Sequence, residues 1–228
     1  MAISLEDARL SFVHGRYSSS GKPDIASYGT VEIEAKPNAA EKIAKDLRLD
    51  RYQCETLLRP GEYQMLVVEA PTVPQAELKS AMRWRIKDMI DYHIDDAAMD
   101  VLDIPAGSDL VGRSHSMYAV TARNEVIQGR IKAFEDAGIP LGVIDIPEIA
   151  QRNISALHEP EERGAALLYF NNEFGLLTIT CQGELYLARR IEIGLSQILG
   201  RGADAREELF GRIVLELQRT FDHFDRQF

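Results

Sequence analysis

The stretch from Pro74 to Pro105, PQAELKSAMRWRIKDMIDYHIDDAAMDVLDIP, restricts the fold of this chain more than any other. Leu78, Met82, Ile86, Met89 and Ile90 recur at helical intervals, which predicts one helix from about Gln75 to Asp91 with an apolar face that must be covered. The opposite side carries Lys79, Arg83, Arg85, Lys87 and Asp88, and Trp84 falls among these residues rather than on the apolar stripe. Trp84 is therefore expected at a rim or in a contact. An acidic turn follows, where Asp95 and Asp96 are expected to cap with their own side chains. Beyond it Ala98, Asp100, Leu102 and Ile104 alternate with Met99, Val101 and Asp103, the period of a strand, and Pro105 ends the run.

A chain of 228 residues with 45% hydrophobic composition can bury one large core or two small ones. No apolar run is long enough to cross a bilayer as a helix, and the N-terminus lacks the basic-then-apolar layout of a secretion signal, so a cytosolic location is expected. Cys54 and Cys181 are the only cysteines, too far apart for a disulfide framework or a metal site, and both are expected as buried fillers. A net charge of −10 argues against sequence-independent nucleic-acid binding, which needs clustered Lys and Arg. Arg83, Arg85 and Lys87 around Trp84 can still form a local basic patch, although long basic side chains commonly flank an apolar stripe on a solvated face.

Along the chain, strands are expected at Ile3 to Leu5, Arg9 to His14 and Ile25 to Glu34, an antiparallel meander with a polar hairpin through Ser18 to Lys22. A helix from Pro37 to Asp50 and strands at Gln53 to Leu58 and Tyr63 to Val68 come next. After the organising stretch and a polar loop from Ala106 to Ser114, the pattern predicts a strand from Ser116 to Thr121. It then predicts a helix from Asn124 to Ala137 stopped by Gly138, a buried strand from Leu141 to Ile146 and a helix opened by Pro147. The charged segment His158 to Gly164 is the expected boundary. Past it lie three meander strands, Ala165 to Phe170, Leu176 to Thr180 and Leu185 to Arg190, and a helix from about Asp204 to Gln227. In that helix Phe210, Val214, Leu217, Phe221, Phe224 and Phe228 form a narrow stripe expected to face the core. The helix runs to the last residue without a stop signal, which leads to the expectation that the native polypeptide continues past Phe228.

The chemistry available is sparse. Asp95 with Asp96, Asp100 with Asp103, and Asp222 with Asp225 are neighbours without a histidine or a third acid at metal-ligand spacing. The five histidines show no zinc spacing, and no serine sits in a nucleophile elbow. No catalytic residue and no metal site is therefore expected. A meander followed by helices can hold a triphosphate where its turns carry glycines and hydroxyls. Here the first turn is Glu6, Asp7 and Ala8 and the second runs from Asn171 and Asn172 to Gly175, bulky and acidic, so both read as plain hairpins.

Glu77 to Pro105, with Ala81, Arg83, Trp84, Lys87, Asp88, Ile90, Asp91, Asp95, Asp96, Asp100 and Pro105, resembles the MshI proteins of mannose-sensitive haemagglutinin (MSHA) pilus biogenesis, relatives of the type IV pilus protein PilM. Ala122, Ala137, Gly138, Asp145, Ile146, Glu148, Ala150 and Asn153 are similar to the helix-strand-helix that follows in that family, and Leu215 to Gln227 to its E-x-Q-R-S-x-D segment. The resemblance implies an α/β actin-like fold of duplicated ribonuclease-H-like sheets. The first half would span residues 1–160, with a small α/β subdomain inserted at about 63–137, and an incomplete second half would span 161–228. It also implies a cytosolic part of an inner-membrane assembly platform, held at the membrane through partners. Such a part binds the cytoplasmic tail of a PilN-like membrane protein, and further platform components are conceivable partners. Arg83, Trp84, Arg85 and Tyr92 are the candidate contacts, since aromatic and Arg side chains dominate such interfaces. ATP-binding relatives use two glycine-bearing turns, a pattern from which this chain departs at Glu6, Asp7, Asn171, Asn172 and Gly175. The expectation is thus no cofactor, with ATP and magnesium as the competing one. Three rival functions stand beside the scaffold: an actin-like ATPase, a cytoplasmic component of type II secretion resembling GspL, and a ribonuclease-H-like nuclease, for which the first strand lacks the acids.

Overall fold

The computed structural model describes residues 1–6, 8–17, 22–36, 38–105, 115–160, 163–200 and 202–228. The expected hairpin tip at Ser18 to Gly21, Pro37, the loop from Ala106 to Ser114 and part of the His158 to Gly164 boundary lie outside the described residues, as does Asp7. The chain forms two compact units, Met1–Val101 with Ala119–Pro147, and Leu102–Tyr118 with Glu148–Phe228.

The first unit is built on β1 (Ala2–Glu6), β2 (Arg9–Tyr17) and β3 (Pro23–Glu32), an antiparallel meander with Ile3 opposite Phe12 and Phe12 opposite Gly29. A Cβ at Gly29 would lie 3.2 Å from the Phe12 ring, so a larger residue there requires the ring to give by a few tenths of an ångström. Helix α1 (Ala39–Asp46) follows, and then β4 (Cys54–Leu57) pairs in parallel with β1, and β8 (Leu141–Asp145) in parallel with β4. The five strands stand in the order β3-β2-β1-β4-β8. Ile3, Leu10, Ala44, Leu49, Cys54 and Phe134 share one buried cluster, which joins the sheet to α1 and to α3 (Asn124–Asp136). Helix α3 ends as expected at Gly138, whose φ of 67° suits a residue without a Cβ. Strand β8 is not the buried strand expected: it closes the edge of the sheet and leaves Val143 exposed.

Between β4 and β8 in sequence lies the sheet β5-β7-β6, made of β5 (Tyr63–Glu69), β6 (Ala97–Asp103) and β7 (Ser116–Arg123), with helix α2 (Leu78–Ile86) before β6. Strands β6 and β7 carry the chain into the second unit and back. Arg130 of α3 holds Glu62, just ahead of β5, with one nitrogen 2.6 and 2.9 Å from the two carboxylate oxygens.

In the second unit, helix α4 (Pro147–Ala156) precedes the meander β9 (Ala165–Phe170), β10 (Gly175–Cys181) and β11 (Glu184–Ile191), ordered β11-β10-β9. A polar seam links helix to sheet. The two N–H groups of Gln151 Nε2 are shared among Leu167 O (2.7 Å), Leu176 O (3.0 Å) and Thr178 Oγ1 (3.1 Å), and Ser155 shares a 2.7 Å hydrogen bond with Thr180. All four side chains are buried, so these bonds replace water that cannot reach them. Two helices follow, the short α5 (Leu195–Leu199), which the glycine-flanked sequence does not announce, and α6 (Ala203–Gln227).

Helix α6 departs from expectation in its facing. Among its described residues Leu209, Ile213 and Thr220 are buried, whereas Phe210 (51%), Val214 (50%) and Phe221 (40%) stay exposed. At about 100° per residue the apolar stripe is rotated from the buried arc, so spacing alone identifies an apolar helix side without saying which half meets the sheet. Cys181 also differs, being half-buried, while Cys54 is buried with its thiol pushed up by desolvation.

Candidate functional site

The organising stretch folds as a short 3-10 turn at Gln75–Glu77, helix α2 and a second 3-10 turn at Ile94–Asp96. Leu78, Met82 and Ile86 are buried as the period predicts. The helix stops at Ile86, short of the expected Asp91, and Met89 turns outward: its N–H bonds Ile86 O at 2.9 Å, a tightened turn that rotates it off the stripe. The capping side chain ahead of β6 is His93 rather than Asp95 or Asp96, its Nδ1 accepting from Asp95 N–H at 3.3 Å.

The four candidate contacts divide into two pairs. Arg83 turns back on its own chain, Nη1 donating to Ala97 O at 3.1 Å and Nη2 to Ile94 O, which ties the helix to the start of β6. Tyr92 shares a 2.8 Å hydrogen bond with Thr121, and the Arg123 guanidinium lies over its ring at 4.4 Å while pairing with Asp91 at 3.3 Å. The sequence pattern does not single out Arg123, because it lies far along the chain on another strand. Trp84 and Arg85 remain outward. The indole is 72% exposed with Lys87 Nζ 5.0 Å from its ring, and Arg85 makes an exposed 3.5 Å pair with Glu69. Exposed pairs of this kind add little stability, which leaves Arg85 and Lys87 available to another molecule. An exposed aromatic ring with a lysine beside it suits an apolar segment carrying acidic groups.

The two bends that correspond to the phosphate turns of ATP-binding relatives carry contacts within the protein. At the first, Glu6 faces Arg9 across the β1–β2 register with a 3.3 Å ion pair. At the second, Asn171 Oδ1 accepts from the N–H groups of Glu173 and Phe174, both at 2.8 Å. The leading N–H groups of α5 are also taken, Leu195 by Asn171 O at 2.7 Å and Ser196 by Asn172 O at 3.2 Å. Gly194 and Gly175 allow this closeness, since a Cβ on Gly194 would lie 2.3 Å from Asn172 O and one on Gly175 2.5 Å from the Phe170 ring. Among the described residues no group of His, Cys, Asp and Glu is placed to hold a metal, and no helix is long and apolar enough to cross a membrane.

No family model and no curated protein sequence matches this chain. Solved structures do. A chain of the PilM–PilN type IV pilus biogenesis complex is similar over 99% of this chain and 77% of its own length, with a TM-score of 0.74 at 19% identity. The cytoplasmic domain of EpsL, an inner-membrane component of the type II secretion system of Vibrio cholerae, is similar over 84% of this chain and 70% of its own, with a TM-score of 0.53 at 13% identity. These likenesses establish the fold: the chain is an α/β protein of the actin-like class.

Proposed function

We propose that this protein is a cytosolic scaffold of a type IV, MSHA-type pilus assembly platform, binding the cytoplasmic tail of a PilN-like membrane protein rather than transforming a substrate. The observation that carries this reading is the likeness to the PilM–PilN complex along 99% of the chain. The resemblance of Glu77 to Pro105 to MshI supports the narrower assignment. In this reading residues 63–137 are the inserted subdomain and Trp84, with Arg85 and Lys87 beside it, is the contact surface. Arg83 and Tyr92 shape the surface from behind. Covering an indole that is 72% exposed removes on the order of 150 Å² from water, enough for a hot spot of about 2 kcal/mol or more. The filled Asn171 bend supports a scaffold without nucleotide.

Trp84 is the chain's single tryptophan, so its emission reports this surface alone. Titration with a synthetic peptide of the PilN-like tail is expected to shift the emission to the blue, and Trp84→Ala to weaken binding roughly 30-fold, the equivalent of about 2 kcal/mol. Binding by calorimetry with no change in emission removes Trp84 from the interface. The likeness to EpsL supports a second reading, a component of type II secretion, and selective binding of the tail of a type II secretion membrane protein would replace the pilus assignment. Saturable thermal stabilisation by ATP with magnesium would overturn the nucleotide-free scaffold.

A further inference from the structure

Helix α3 carries an arginine in the middle of its apolar side. Arg130 lies one turn from Ile127 and one turn from Phe134, on the side that Phe134 buries in the core of the first unit. Its side chain is 10% exposed and that of its partner Glu62 28%, whereas the Arg85–Glu69 pair stands at 42% and 57%. Taking such a pair out of water costs free energy, and apolar side chains of similar length commonly pack at least as well in its place. Stability alone therefore does not account for it. Glu62 closes the turn by which the chain leaves the five-stranded sheet. Its Oε2 accepts from Arg59 N–H at 2.7 Å, its own N–H bonds Arg59 O at 3.0 Å, and Gly61 between them has a φ of 89°. Leu58, just before the turn, is fastened to β8 through Asp145 O at 2.8 Å, and β5 begins just after it. The space around the turn is open: no described atom comes within 4 Å of the place where a Cβ on Gly61 would sit.

The return crossing is gripped by the same helix. Just ahead of α3, Arg123 pairs with Asp91 at 3.3 Å and covers the Tyr92 ring, and Asn124 Nδ2 donates to Asp95 O at 3.2 Å, so the segment that follows α2 is tied to the start of α3. Phe134, about 15 Å further along the axis, sits with Ile3, Leu10 and Cys54 beneath the five-stranded sheet. One helix thus holds both the departure to β5 and the return from β7, and is itself seated in the first core. We propose that the Arg130–Glu62 pair is a latch, which fixes the angle at which β5 and α2 leave the five-stranded sheet. Its release lets them swing about Gly61 and the Arg123–Asn124 junction while both sheets stay folded. A buried ion pair is best attested in such a registering role, where it selects one geometry among several. Trp84 rides on α2, so the latch also governs where that contact surface is presented, a consequence that rests on the function proposed above.

The test uses the whole chain and no peptide, so its failure is separate from failure of the tail titration. Nitroxide labels are placed on Ser80→Cys of α2 and Lys42→Cys of α1, both exposed positions, in a background of Cys181→Ser with Cys54 buried. Their separation is read by pulsed electron paramagnetic resonance. Arg130→Met with Glu62→Gln keeps the bulk of both side chains and an oxygen for Arg59 N–H. This double variant is expected to widen the distance distribution at least twofold, with circular dichroism unchanged. Glu62→Gln alone is expected to widen it by about half, and decides the matter should the double variant fail to fold. A control pair within the first sheet and its helix, Lys42→Cys with Glu32→Cys of β3, is expected to keep its width. An unchanged Ser80 to Lys42 distribution overturns the proposal and leaves the pair a stabilising contact only. Equal widening of the control pair also overturns it, because the loosening would then be general.

Discussion

The guanidinium of Arg83 reaches the main-chain oxygen of Ala97, 14 residues further on, at 3.1 Å, and bonds Ile94 O with its other terminal nitrogen. Two carbonyls at the entry to β6 thus depend on one side chain. Arg83→Ala leaves them without that partner and is expected to cost about 1–3 kcal/mol in urea unfolding, whereas Arg85→Ala, which loses only an exposed pair with Glu69, is expected to stay within about 0.5 kcal/mol. Equal effects would mean that the Arg83 fork does not hold the turn.

In the second unit Gln151 offers one amide nitrogen to three acceptors beneath α4. Replacement by Leu keeps the bulk and loses the bonds, with an expected loss of about 1–3 kcal/mol. Gln151→Glu should be worse at neutral pH, because a carboxylate would face two carbonyl oxygens in a buried seam. Denaturation midpoints of the two variants at pH 7 and pH 5 check this: the Glu variant should recover part of its stability at the lower pH, as protonation restores a donor.

Much of this architecture is legible from the residues. The two meanders, the strand from Ala97 and the stop of α3 at Gly138 follow from alternation, turn residues and a glycine at positive φ. Some features need tertiary information. Nothing local ends α2 at Ile86, since Lys87 to Asp91 holds no glycine or proline; the expected helix gives way to a turn before His93 and the Arg83 fork. The exposed half of α6 escapes the pattern because helical spacing fixes a stripe but not its orientation. Of the candidate contacts, Trp84 is outward as its position among basic residues implies, while the inward tasks of Arg83 and Tyr92 involve Ala97, Thr121 and Arg123, which helical periodicity does not connect to them.

Alkaline pH offers a further check. Burial pushes the Tyr118 phenol up to about 12, the nearby Glu148 carboxylate adding to the effect and a main-chain hydrogen bond at Ala188 opposing it. The phenol donates to Tyr186 O at 3.1 Å. Because the folded protein keeps this proton longer than the unfolded chain, the contribution is complete below about pH 10 and is lost as pH rises towards 12. Its full size is on the order of 2–3 kcal/mol. Tyr118→Phe is expected to flatten that part of the stability curve, as measured by urea unfolding between pH 9 and pH 11.5; an unchanged slope would count against the burial of this hydroxyl.

The bend from Asn171 to Gly175 tolerates little. A methyl group on Gly194 would sit 2.3 Å from Asn172 O and must push the bend away from α5, so Gly194→Ala is expected to cost about 2–4 kcal/mol. Asn171→Ala, which frees the N–H groups of Glu173 and Phe174, should cost about 1–2 kcal/mol. Thermal denaturation ranks the two. If Asn171→Ala proves the more harmful, the side-chain bonds rather than the close backbone approach hold the bend.

The lone indole, at position 84, has a practical corollary. Since that ring is already largely wetted in the native state, melting either unit changes its surroundings little, and the emission spectrum that tracks denaturation in most proteins would stay nearly flat here. Folding of this chain is therefore best followed through its backbone or its buried tyrosines.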